Sequence, residues 1–97
     1  MKINKMTFEA LHEVMNSMDY SIKDADENSE YYSKLLNTYI EENKESLNEL
    51  SNYEDDYHYS NYKNNKDKYY LKSCMITKLR DYLFDNFQKI IKDVNAW

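Results

Sequence analysis

Ninety-seven residues without one Gly or one Pro limit this chain more than any motif in it. Glycine supplies positive backbone torsions and proline presets turns. A chain lacking both is ill-equipped for the many tight turns of a sandwich or barrel, and it is also free of the two strongest helix breakers. Any positive torsion must fall to Asn or Asp, which tolerate it best among the other residues. The twelve Asn of the chain are therefore expected at the ends of long helices.

Apolar periodicity agrees. Thr7 can cap a first helix, with Glu9 in its opening turn. Phe8, Leu11, Met15, Met18 and Ile22 then form one helical stripe. Residues 24–29 are polar and offer Asn28 or Ser29 as caps for a second helix. From there Tyr32, Leu36, Tyr39, Asn43, Leu47 and Leu50 recur at steps of three and four, widened by Leu35 and Ile40, over about five turns. A third stripe, Ile76, Leu79, Leu83, Phe87, Ile90, Val94 and Trp97, is broadened by Phe84 and Ile91. An arc that wide suits a helix packed by two neighbours, the central member of a small bundle.

Between Ser51 and Tyr70 the pattern breaks into Tyr, Asn, Asp, Ser and Lys. Tyr53 and Tyr57 can extend the second helix. Alternatively, residues 57–63 and 68–72 can pair as a β-hairpin across Asn64 and Asn65, because tyrosine favours strands and Asn-rich turns are permitted. The expected fold is all-α, a single helical domain over 1–97: a small bundle of three main helices, with a short helix or β-hairpin at 53–72.

The core must be thin. Eight Leu, six Ile, two Val and three Phe stand near the level of about 20% below which charged chains tend to disorder. Eleven Tyr and five Met must complete the packing, or a partner must. Cys74 is the only cysteine, so no internal disulfide forms and a reducing compartment is expected. No apolar stretch of signal-peptide or membrane-span length occurs, which makes the cytoplasm the expected location.

Charge is dealt unevenly. The formal net charge is −5, yet residues 9–56 hold fourteen acidic residues against three Lys, and residues 57–97 hold eight basic against four acidic. Glu41, Glu45 and Glu49 recur every four residues, a row about 6 Å apart on one helix face. Glu42 lies beside them, and Glu54, Asp55 and Asp56 can continue the line. Like charges at this spacing weaken a helix by a few tenths of a kcal/mol each. The row serves either as a solvated face that also pairs with basic helices within the bundle, or as a docking surface for a basic partner, where spaced carboxylates imitate phosphates. Direct nucleic-acid binding is not expected, because the sequence pI is about 5.0.

Catalytic constellations are missing. Glu9 and His12 fit half of a dimetal bundle motif that needs a second copy, and His58, four residues after Glu54, suits a surface pair. Cys74 beside Met75 and Ile76 is expected to be a partly buried structural thiol. A glycine-rich phosphate loop is out of reach without glycine. No enzyme activity, metal or cofactor is expected.

Two polar residues stand where the stripes predict burial. Arg80 falls inside the arc of the last helix and Asn43 at the centre of the second stripe. An unpaired buried Arg costs several kcal/mol, so Arg80 is expected to pair with a carboxylate or with Asn43, or else to sit on a face that awaits a second chain. The tyrosine segment, Tyr53, Tyr57, Tyr59 and Tyr62 among Asn and Ser, has the composition of binding loops.

These features describe a small acidic binding protein. The expected partner is a protein with a basic, nucleic-acid-binding surface, and the expected mode is stoichiometric inhibition. In size, acidity and lack of catalytic motifs the chain resembles the small anti-defence proteins of phages, such as anti-CRISPR or anti-restriction inhibitors; that resemblance is one of composition, and it implies DNA mimicry in a host cytoplasm. The alternative is a non-enzymatic structural or regulatory subunit, acting as a homodimer or in a hetero-complex.

Overall fold

A seven-residue repeat runs unbroken through the first half of the chain. Leu11, Met15, Met18, Ile22, Ala25, Ser29, Tyr32, Leu36, Tyr39 and Asn43 follow one another at alternating steps of four and three. That spacing holds one seam of a helix against a neighbour. In the computed structural model, which describes residues 5–95, the stretch is one helix, α1 (Lys5–Glu42), about 57 Å long.

A second repeat answers it. Tyr59, Tyr62, Lys66, Tyr69, Ser73, Ile76, Arg80, Leu83 and Phe87 keep the same alternation along α3 (Tyr57–Asp85) and into α4 (Phe87–Asn95). Contacts descend α1 as they climb α3: Tyr39 meets Tyr62, Tyr32 stacks on Tyr69, and Asp19 pairs with Arg80. The two helices therefore form an antiparallel coiled hairpin measuring 66 × 19 × 18 Å.

Small residues set the spacing at mid-length. Ala25 and Ser73 are buried, and the Ser29 hydroxyl reaches the backbone carbonyl of Lys66 across the seam at 3.1 Å. Such a bond from a short side chain requires the backbones to approach closely. Few large apolar side chains are buried with them: Leu36 in α1, Leu47 at the closed end and Ile91 in α4, each contributing about 2 kcal/mol.

The turn between the arms uses no positive torsion among the described residues. Asn43 departs from helical geometry at φ −124° and ψ 23°, and its side-chain amide donates to the Tyr39 carbonyl at 3.0 Å. The short α2 (Lys44–Asn48) follows. Asn52 then caps a 3₁₀ turn (Tyr53–Asp55) by accepting from the Glu54 amide, and Asp56 caps α3 by accepting from the Tyr59 amide. Asn86 repeats the Asn43 device between α3 and α4, at φ −117° and ψ 17°, with its amide donating to the Tyr82 carbonyl.

The all-helical expectation stands, and no strand occurs among the described residues. The compact three-helix bundle does not: the chain is an elongated hairpin. Residues 24–29 do not separate two helices, because Ala25 and Ser29 belong to the seam and α1 passes straight through. Thr7 lies inside α1 rather than ahead of it, because the helix already includes Lys5. Residues 57–72 are helix, which removes the β-hairpin alternative. The last segment is not a central element either. Leu79 and Phe84 are exposed, only one helix faces it along its length, and Asn86 divides it. Trp97 lies outside the described residues.

Candidate functional site at the closed end

The closed end gathers residues from α1, α2, the 3₁₀ turn and the start of α3. Asp56 is its hub. Both carboxylate oxygens accept from the Tyr39 hydroxyl, at 2.8 and 2.9 Å, while Oδ1 also accepts from the Tyr59 amide at 3.0 Å. These bonds, first that of the Tyr59 amide and then that of Tyr39, hold the Asp56 carboxyl below the usual range, with the nearby His58 assisting. The same bond raises the Tyr39 phenol above its ordinary value.

Beside this hub, Lys63 Nζ lies 2.6 Å from Glu54 Oε1. Their hydrogen bond lowers the glutamate and raises the lysine. The Ser60 hydroxyl donates to the Glu54 carbonyl. Glu54 and Asp56 are thus engaged within the fold. Glu41, Glu42, Glu45, Glu49 and Asp55 are exposed, and none of the five forms a salt bridge among the described residues.

The acidic row is not a straight one. Glu41 and Glu42 end α1, the backbone bends at Asn43, Glu45 lies in α2, and Glu49 follows α2 as its C-cap. Backbone bonds from Asn43 to Tyr39 and from Leu47 to Asn43 carry the helical ladder across the bend, so the carboxylates stay on adjoining turns. They cover the end of the hairpin as a rounded acidic cap rather than a rod.

Aromatic rings fill the space beneath. Tyr39 meets Tyr62 edge-on at 5.9 Å and His58 at 5.6 Å, and Tyr53 meets Tyr59 edge-on at 5.5 Å. The Tyr53 hydroxyl donates to the Asn48 side chain. Of the four tyrosines expected at the interface, Tyr53, Tyr59 and Tyr62 are half-buried in this packing. Tyr57 alone is freely presented, 76% exposed, with its ring edge-on to His58 at 5.5 Å.

A shallow groove of about 370 Å³ opens beside the cap, lined by Tyr31, Lys34, Leu35, Thr38, Tyr39, Glu42 and Tyr62. Tyr31, Leu35 and Thr38 were not among the expected site residues. They stand at steps of four and three just off the seam, so a second, flanking stripe was the signal available for them.

The other singled-out residues lie elsewhere. Arg80 is on the half of α3 remote from the turn, its Nε 2.6 Å from Asp19 Oδ1, with side chains 39% and 52% exposed. The Nε finds no acceptor aligned with its N–H, so the contact is an ion pair without hydrogen-bond geometry. This corrects the expected link to Asn43, which sits at the opposite end, while the alternative carboxylate partner is found. Cys74 is exposed rather than partly buried, and it raises the Tyr70 phenol by hydrogen bonding. No group of three or more metal-ligating side chains occurs among the described residues, and no helix there is long and apolar enough to cross a membrane. Compared with protein-family models, with curated proteins and with solved structures, the chain matches none of them.

Proposed function

We propose that this chain is a non-enzymatic binding protein that acts by stoichiometric contact, docking its acidic closed end on a basic protein surface that otherwise handles nucleic acid. The observation that supports this most directly is the set of five exposed carboxylates that form no salt bridge among the described residues. Intramolecular stability gains nothing from them, since like charges on adjoining turns repel. Tyr57 and the groove beside Tyr31 add apolar contact area next to that charge, a combination suited to an interface.

Magnitudes favour a local contact over imitation of a whole duplex. Sixty-six ångströms of duplex DNA would carry roughly 39 phosphate charges, against a net charge of −5 for this chain. The acidic cap can replace a few phosphates in a cleft, and the rest of the rod cannot. Inhibition of the anti-restriction or anti-CRISPR kind needs only that local block.

The test compares the natural chain with a Glu41→Lys/Glu45→Lys/Glu49→Lys variant, each immobilised and exposed to a bacterial lysate. The natural chain is expected to retain nucleic-acid-binding proteins that elute with added duplex DNA and with rising salt, because exposed charge pairs are screened. Equal retention by the charge-reversed variant would refute the proposal. The alternative role as a structural or regulatory subunit is favoured by a different surface, on α3.

A further inference from the structure

A two-helix coil lets each helix bury one seam, and α3 carries a second apolar stripe outside its seam. Leu71, Met75, Leu79 and Tyr82 stand at steps of four, four and three, within an arc of about 80°. Their exposures are 54%, 65%, 58% and 59%. Leu79 also lines a groove of about 530 Å³ between the helices, together with Val14 and Met18 of α1 and Ile76 of α3. Stripe and groove meet at Leu79 in one mainly apolar surface, edged by Glu13, Ser17 and Ser21 of α1 and roughly 20 Å along α3 from the acidic cap.

We infer that this face is a homodimer interface, on which a second copy of the chain completes a four-helix core. Area supports it first. The chain exposes 7,660 Å², whereas a folded monomer of 11.9 kDa is expected to expose about 5,900 Å². Removing the excess from both copies would bury roughly 3,500 Å² in total, within the range of obligate homodimers. Packing supports it next, since the hydrophobic residues buried among the described ones are only Ala25, Leu36, Leu47 and Ile91. Two hairpins laid side by side give the four-helix section in which such stripes become interior.

Charge selects a second copy over an acidic or basic stranger. The stripe is flanked by Lys68, Lys72 and Lys78 and by Asp67, Asp81 and Asp85, and Glu13 lines the adjoining groove, a border of mixed sign. An isologous contact sets each patch against its own likeness, so a border of one sign would repel itself and this mixed one does not. The acidic cap, by contrast, cannot pair with itself. The dimer face and the cap are separate surfaces, and neither proposal rests on the other.

Cys74 gives a reporter that needs no substitution. It is exposed in the single chain and borders the same stripe, beside Met75, Lys78, Leu79 and Tyr82. Sedimentation equilibrium is expected to return about 24 kDa, twice the chain mass of 11.9 kDa, and alkylation of Cys74 should speed up several-fold on dilution as copies separate. Leu71→Glu/Leu79→Glu should sediment as a monomer. If that variant fails to fold, labelling of the natural chain still decides. A mass of one chain at every concentration, with a concentration-independent alkylation rate, overturns the inference and leaves the face to another kind of partner.

Discussion

The Tyr39 hydroxyl bridges both carboxylate oxygens of Asp56 at 2.8 and 2.9 Å, tying the end of α1 to the residue that caps α3. One carboxylate thereby serves two purposes. It satisfies the first turn of α3, and it anchors that helix to the arm it must pack against.

Acid should loosen this tie first. Asp56 is held below its ordinary value of 3.8 by the Tyr59 amide and the Tyr39 hydroxyl. Stability from a depressed carboxyl is present above the unfolded value and is lost as pH falls through the folded one. Melting followed by circular dichroism is expected to show Tm falling below about pH 4. Asp56→Asn should flatten part of that fall and lower Tm at neutral pH, and Tyr39→Phe should do both more weakly. At the alkaline end the sign is reversed: the raised Tyr39 phenol lends stability below its ordinary value of 10.0 that is lost as pH rises beyond it.

Ala25→Leu should destabilise the hairpin even though Leu is the better residue for a coiled seam in the abstract. Ala25 is fully buried where the Ser29 hydroxyl reaches the facing backbone, and a larger side chain there forces the helices apart. A loss of about 1–3 kcal/mol in urea unfolding is expected. An unchanged or raised midpoint would mean the backbones are not in close approach.

Leu36→Ala and Leu50→Ala separate the seam from the second stripe expected in the sequence. Both residues belong to that stripe, yet Leu36 is buried and Leu50 lies exposed beyond α2. Leu36→Ala should cost about 2–3 kcal/mol, and Leu50→Ala less than about 0.5 kcal/mol. Denaturant midpoints of the two variants measure the difference.

The Asp19–Arg80 pair is half-exposed, so Arg80→Met is expected to cost no more than about 1 kcal/mol, and less at high salt. A buried Arg partner, as the apolar arc alone suggested, would have cost several kcal/mol. Thermal melts at low and high ionic strength distinguish the two.

Helicity was legible in the residues because it needs only local information: no Gly, no Pro, and apolar residues at steps of three and four. The acidic cluster was legible too, since charge is additive along a chain. The route of the chain was not. Ala25, Ser29, Lys66 and Ser73 occupy seam positions in the structure, yet small or polar residues there look like gaps in an apolar stripe. One 38-residue helix therefore looks like two shorter ones joined by a polar link. Likewise Arg80, Leu79 and Phe84 share one broad arc in sequence, and only the position of α1 assigns Arg80 to an ion pair at the seam and leaves the other two outside. Helix formation and the places where charge accumulates follow from the residues alone. Which stripe is buried follows from the packing of one helix on another, because burial depends on how closely a facing backbone can approach, and that distance is a property of two helices together.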